Sequence, residues 1–310
     1  MRPFHDDNHN DPRRLIPYVE FYITNVCNLT CSNCNRFNNY NFKGWQAWAD
    51  YENEYKKWSE VVRLGGITIL GGEPLLNPTI VQWITGLNKV WGTGVEVLTN
   101  GTRLNHVPGL YEAIAEYPSN WIGVSLHNIN DLDRCFEEIR KFLRGPVKIY
   151  KQDDPENSDG SKTYGGAYGF HDGAVWVRVW IGDDFYNSAV RINSAGRPTV
   201  YNSDPAAAHA VCGFVQYKCY HFIKGALYKC GPVALFPEFD QQHPFDISDS
   251  DRELMYSYRP LTADQYVDRG AAFFQELDSV IPQCKFCPTK FDHIKVKAIN
   301  KKPNSTSSFV

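Results

Sequence analysis

Long apolar runs are missing from this 310-residue chain, and so is an excess of charge of one sign. No stretch approaches the roughly eighteen uninterrupted apolar residues of a membrane span, so no membrane association is expected. The opening residues, MRPFHDDNHNDPRR, hold neither an apolar run nor a small-residue cleavage site, which speaks against a secretory signal. A cytoplasmic location follows as the expectation. The formal net charge is −3, which disfavours a general polyanion binder and makes nucleic acid an unlikely partner. No Ser-His-Asp set, P-loop or dinucleotide GxGxxG appears, and the nine histidines are scattered along the chain. Hydrolytic and nucleotide-cradling chemistries therefore lose their usual signatures.

What is present is cysteine. Nine cysteines cannot all pair, and in a reducing compartment clustered thiols are more often metal ligands than disulfides. The length allows one large α/β domain, or a barrel with a small appendage, with a core that needs no staples.

The first half alternates strand and helix. Val19–Thr24 (VEFYIT), Ile67–Leu70 (ITIL), Val95–Leu98 (VEVL), Trp121–Leu126 (WIGVSL) and Val147–Tyr150 (VKIY) read as five strands. Helical spacing is seen over 46–62 through Trp48, Tyr51, Tyr55, Trp58 and Val62, and helices are expected near 78–91, 108–117 and 132–143. Ala174–Ile181 (AVWVRVWI) alternates as a sixth strand, after a polar loop over 153–173. This rhythm implies parallel pairing with right-handed crossovers. Four unusual segments, at 27–34, 71–74, 99–101 and 125–128, all follow predicted strands, on the edge where parallel sheets bind ligands. Beyond about Val200 the rhythm fades and cysteine density rises, which sets a soft boundary there. The tail over 298–310 is polar and expected to be disordered.

Cys27, Cys31 and Cys34 lie in the loop after the first strand. Three thiolates so close can take three irons of a cubane and leave the fourth open to an exogenous amine and carboxylate. A zinc site also uses closely spaced cysteines, usually four in paired spacings, and on the loop alone both readings stand.

The CxxxCxxC spacing followed by ITIL and Gly71-Gly72-Glu73-Pro74 resembles the radical S-adenosylmethionine (SAM) superfamily over about Val19 to Tyr150. The resemblance implies an α/β fold, a partial (β/α)6 barrel over 1–200, and a SAM-binding [4Fe–4S] cluster on Cys27, Cys31 and Cys34. It implies a SAM site at Gly71, Gly72 and Glu73, where glycine permits close backbone approach and the carboxylate suits an ammonium. Thr99, Asn100 and Ser125 match further SAM-lining positions. Before the third cysteine an aromatic is common, and here Asn33 stands instead; Phe37 or Tyr40 are the substitutes at hand for the adenine. The chemistry implied is one-electron cleavage of SAM to a 5′-deoxyadenosyl radical that abstracts hydrogen from a substrate, fed by a reductant such as flavodoxin or ferredoxin.

Later in the chain, Cys219 and Cys230 flank a hairpin pattern around Lys224-Gly225, and Cys284 and Cys287 form a CxxC. This resembles the auxiliary-cluster region of SPASM/Twitch enzymes and implies a second [4Fe–4S] cluster in a small C-terminal Twitch-like module over 201–297, with zinc the competing metal. Cys212 either replaces Cys219, sits near as a fifth thiol, or is simply buried. Cys135 reads as a helix core residue and His127 as a satisfied structural histidine on the rim. Arg178, too costly to bury unpaired, is expected to meet a carboxylate of the protein, of SAM or of substrate. The aromatics Tyr40, Phe42, Trp45, Trp48 and Tyr51 read mostly as packing. Related enzymes with auxiliary clusters often act on peptides, so an unidentified peptide or protein is the first substrate expectation. A small metabolite or nucleoside, or a non-enzymatic zinc or iron–sulfur module, are the alternatives.

Overall fold

The computed structural model describes residues 11–152, 167–182, 184–290 and 292–300. Its first parallel strand, β1 (Val19–Tyr22), runs into the cysteine loop, within which Leu29–Cys31 forms a short strand, β2. Helix α1 (Trp48–Val61) then leads towards β3 (Ile67–Leu70), α2 (Ile80–Trp91), β4 (Val95–Thr99), α3 (Leu110–Ala115), β5 (Trp121–Leu126) and α4 (Leu132–Phe142). The next strands are β6 (Lys148–Gln152), β7 (Ala167–His171), β8 (Trp176–Ile181) and β9 (Asp184–Tyr186). The C-terminal third adds β10 (Tyr220–Ile223), β11 (Ala226–Tyr228), α5 (Gly231–Gln242), β12 (Leu261–Thr262), α6 (Tyr266–Leu277), β13 (His293–Lys295) and β14 (Ala298–Asn300).

Ten of these strands form one sheet in the order β12-β11-β10-β1-β3-β4-β5-β8-β7-β6. Six are parallel, β10 through β8, and antiparallel strands flank them on both sides. Three expectations change here. The strand over 148–152 is not the fifth parallel strand but an antiparallel edge, and β8 takes the place beside β5. The boundary near residue 200 does not part the sheet, because β10 pairs in parallel with β1 (Phe222 opposite Phe21). Residues 298–300, expected in a disordered tail, pair antiparallel with β2 (Ala298 opposite Cys31). The remainder of that tail, and positions 153–166 of the polar loop, lie outside the described residues. Among the described residues no helix is long and apolar enough to cross a membrane.

The two faces of the sheet differ. Val19, Phe21, Ile67, Ile69, Val95, Val97, Ile122, Val124, Val177 and Val179 point to the helix side, where Trp48, Tyr55, Trp58, Trp83, Leu87 and Ile139 cover them. Each such side chain, fully buried, is worth roughly 1.5–3 kcal/mol. Helix α1 is aimed by its 3–4-residue aromatic spacing, and the Trp58 indole donates to the Gly225 carbonyl at 2.8 Å. Helix α2 stops at Gly92, whose φ of 62° is the left-handed cap that glycine adopts without penalty. The inner face carries Glu20, Tyr22, Thr68, Leu70, Glu96, Leu98, Gly123, Ser125, Arg178 and Trp180. Over β1 and β3 it is covered by a second aromatic layer, with Phe37, Phe42, Phe236, Phe239 and Phe286. Over β4, β5 and β8 it is only half covered: Glu96, Leu98, Ser125, Arg178 and Trp180 are all partly exposed. The inner face of these three strands is therefore polar and partly uncovered, from Glu96 near the start of β4 to Ser125 and Trp180 near the ends of β5 and β8.

Candidate active site

The cysteine loop is locked to the end of β3 by backbone bonds. Gly72 N donates to Thr24 O at 2.7 Å and Glu73 N to Val26 O at 2.8 Å. A Cβ on Gly71 would lie 2.5 Å from Thr24 O, and one on Gly72 would strike the Val26 carbonyl. The two glycines thus let one strand end press against the cysteine loop. Glu73 is fully buried. Its Oε1 accepts from Thr99 Oγ1 (2.6 Å) and Leu75 N (3.0 Å), and its Oε2 from Asn100 N (2.8 Å). Burial pushes this carboxyl upward, and the Thr99, Asn100 and Leu75 donors oppose the shift. An ammonium contact was expected of Glu73; what the structure displays is a brace between the Gly-Gly turn and the Thr99–Asn100 strand end.

Asn28 completes that brace. Its amide donates to Thr102 Oγ1 at 2.8 Å and its carbonyl accepts from Asn100 Nδ2 at 2.9 Å. Nothing in the sequence singled out Asn28, since its partners lie more than seventy positions away. A cavity opens beside this knot, lined by Leu29, Asn100, Gly101, Ser125, His127, Asn128 and Cys135. Ser125 and Asn100 are therefore brought together with the cysteine loop. His127 is held by the Gly182 carbonyl at 3.2 Å and by the Phe185 ring, and burial lowers its pKa. Cys135 packs at the margin of the core and also faces this cavity.

Cys31 is buried, whereas Cys27 and Cys34 are half-buried. Burial pushes the Cys27 thiol well above its ordinary pKa, and Glu73, Cys34 and Cys31 add to the rise. Such a thiol stays protonated until a metal displaces the proton. Both oxygens of Glu73 already accept hydrogen bonds within the chain. Among the described residues no three His, Cys, Asp or Glu side chains converge as they would on a single ion.

Asn33 sits at φ 58°, a left-handed position that asparagine tolerates far better than an aromatic. Phe37 and Tyr40, the candidates named for the adenine, both pack on other rings. Phe37 is buried and stacked on Phe236 at 5.7 Å, and Tyr40 packs edge-on against Phe239.

Comparison with known proteins agrees with this geometry: the sequence profile of the Radical SAM superfamily matches residues 21–152. That stretch, less than half of the chain, is similar to radical SAM domains. A probable GTP 3′,8-cyclase of Methanothermobacter thermautotrophicus is 29% identical over 137 residues, 44% of this chain and 43% of that protein. The domain and this relative mark the chain as an enzyme. Among solved structures, Streptococcus suis SuiB bound to S-adenosylmethionine shares 17% identity at a TM-score of 0.34, covering 42% of this chain and 32% of that one. The protein anSMEcpe with bound AdoMet and Cp18Cys peptide gives 17% and 0.32, over 42% and 40%. The chain spans less than half the length of each of these proteins.

Outside the matched stretch lies the second group of cysteines. The hairpin forms as expected: Lys224 (φ 51°) and Gly225 (φ 75°) make a two-residue turn between β10 and β11. Yet Cys287 responds to the charges of Cys230, Cys212 and Cys284, and Cys230 to those of Cys212 and Cys284. Burial pushes the Cys230 thiol up to about 12. Cys219 instead stands beside Glu20 and Arg36, with only Cys230 of the group among its neighbours; burial, then Glu20, drive its thiol upward. Cys212 thus lies within charge range of Cys230 and Cys287, and Cys219 within that of Cys230. Arg178 lies with its guanidinium 5.0 Å from the Trp180 ring centroid and within range of the Glu96 charge, so a protein carboxylate is one of its neighbours.

Proposed function

We propose that this chain cleaves S-adenosylmethionine at a [4Fe–4S] cluster held by Cys27, Cys31 and Cys34 and turns the resulting radical on a substrate bound against the inner face of the sheet. The observation that carries the reading is the knot of Gly71, Gly72, Glu73, Thr99, Asn100 and Asn28 that ties three strand ends to the cysteine loop. When bound, the cluster supplies one electron, which splits the C5′–S bond of SAM into methionine and a 5′-deoxyadenosyl radical that takes a hydrogen atom from substrate.

The chain's own residues position and shield. The three thiols lose their protons on ligation and leave one iron without a protein ligand. Glu73 fixes the Thr99–Asn100 edge, and Asn100 and Ser125 would present polar groups to SAM held in the cavity. The buried aromatic layer of Phe37, Phe42, Phe236 and Phe239 shuts water out from the side of the cysteine loop. Glu96, Arg178 and Trp180 offer a carboxyl, a guanidinium and an indole to the substrate on the half-open face.

A second [4Fe–4S] cluster is proposed on Cys212, Cys230, Cys284 and Cys287, in a Twitch-like arrangement, with a peptide as substrate and a flavodoxin or ferredoxin as electron donor. The relative named for GTP 3′,8-cyclisation favours a second reading, in which a nucleotide or other small molecule is the substrate. Anaerobic reconstitution tests the function. About eight irons per chain and release of 5′-deoxyadenosine from SAM after reduction are expected. Zinc uptake with no 5′-deoxyadenosine would point to a metal-binding module instead.

A further inference from the structure

A buried charged triad lies between the two thiol groups. Arg36, two residues beyond Cys34, forms an ion pair through Nη2 with Glu20 Oε2. His221 Nε2 stands 2.6 Å from the same oxygen. The side chains of Arg36, Glu20 and His221 are 11%, 10% and 0% exposed. Glu20 sits on β1, immediately before the cysteine loop, and His221 on β10, between Cys219 and Cys230; the two face each other in register. Burial alone would raise the Glu20 carboxyl, but Arg36 and His221 overcome it and hold it down at about 2. The triad thus holds a carboxylate and a guanidinium where a lone charge would be far too costly.

Polar atoms of the triad are left unsatisfied among the described residues, both ring nitrogens of His221 included, although Nε2 lies close to Glu20. Arg36 Nη1 is buried without a hydrogen-bond partner among the described residues. It lies against the backbone of Gly231, the neighbour of Cys230: a Cβ at Gly231 would collide with Nη1 and come within 3.0 Å of His221 Nε2. The ring of Phe214 seals the guanidinium from the other side, at 5.5 Å. A buried N–H donor without an acceptor is costly and asks for one. Cys34 lies within range of the Arg36 charge, as does Cys219, which is outside the proposed second ligand set. Hydrogen bonds to sulfur and nearby fixed charge are among the levers that set a cluster's reduction potential.

We infer that Arg36 is an electrostatic bridge between the two iron–sulfur sites, a positioning residue whose buried cation raises the reduction potential of both clusters and whose charge is tempered by Glu20. The inference rests on the proposed pair of clusters. Glu20 and His221 hold the guanidinium between the loop carrying Cys34 and the strand end carrying Cys230, so the two sites share one fixed charge. A reduced cluster is more negative than an oxidised one, and a nearby cation in a poorly solvated interior favours the added electron.

Redox titration followed by electron paramagnetic resonance on the reconstituted full chain tests this. Arg36→Met is expected to move the midpoint potential of each cluster to more negative values, and Arg36→Lys to restore most of the change. Glu20→Gln, which keeps an acceptor for Arg36 but removes the negative charge, is expected to move both to more positive values. Opposite signs are the signature that a merely structural role would not produce. Shifts of one sign in both variants, a shift confined to one cluster, or none at all would overturn the inference. Should Arg36→Met lose its iron, Glu20→Gln decides: an upward shift supports the bridge and any other result overturns it. A wild-type chain that takes up no iron would instead defeat the reading beneath it.

Discussion

Replacing Gly71 with alanine places a methyl group 2.5 Å from Thr24 O and 3.0 Å from Thr24 N. Both are backbone atoms of a buried residue, so no side-chain rotation relieves the clash. Thr24 O is also the acceptor of Gly72 N, at 2.7 Å, and the adjoining bond from Ile23 N to Leu70 O spans 2.9 Å. Moving the carbonyl away leaves buried donors unpaired, each costing about 1–3 kcal/mol, so a loss of about 3 kcal/mol is expected. Gly92→Ala is the control. That glycine has φ 62° and nothing within 4 Å of a built Cβ, so only the left-handed backbone is penalised, by about 1 kcal/mol. Urea denaturation of both variants without metal measures the difference. Equal losses would refute the claim that close approach, rather than backbone conformation, requires glycine at 71. Binding of SAM by the reconstituted Gly71→Ala chain should weaken as well, because Glu73 and its contacts to Thr99 and Asn100 follow the displaced turn.

Further outcomes follow from the sheet interior and the second thiol group. Burial pushes the Glu96 carboxyl up to about 7, with the Thr68 hydroxyl opposing at 2.8 Å. The folded state therefore holds a proton that the unfolded state has lost, and stability falls as pH rises from about 4.5 through 7. The loss reaches about 3 kcal/mol, and Glu96→Gln should abolish it, as denaturation at pH 5 and pH 8 would reveal. An unchanged pH slope in the variant would assign the dependence elsewhere. Cys212→Ala should reduce reconstituted iron from about eight to about four per chain, whereas Cys219→Ala should retain about eight. The reverse pattern would return Cys219 to the ligand set.

The site was largely legible where its determinants are local. Cys27, Cys31 and Cys34 follow one strand, Gly71-Gly72-Glu73 the next, and Thr99-Asn100 the third, so strand alternation alone put them on one rim. The Lys224-Gly225 hairpin was legible for the same reason: two adjacent residues with positive φ decide it. Long-range pairing was not legible. The sequence around β10 reads as a hairpin arm, and nothing within it says that it pairs with β1, two hundred residues earlier. That pairing brings His221 to Glu20, so the triad stayed hidden. Cys212 was left undecided because local spacing favours Cys219, whereas the charge coupling of Cys212 to Cys230 and Cys287 depends on long-range packing. The strand over 148–152 was misplaced because an antiparallel edge and a parallel neighbour carry the same local alternation.

The claim on which the rest stands is that one iron of the first cluster has no protein ligand and is reserved for SAM. Electron–nuclear double resonance on the reduced, reconstituted chain with SAM labelled by ¹⁵N at its amino group tests it directly. A strong coupling from the label to the cluster is predicted, and it should vanish in a chain whose Cys27, Cys31 and Cys34 are all alanine. A cluster that shows no coupling to bound SAM, or that is held by a fourth side chain, would contradict the account.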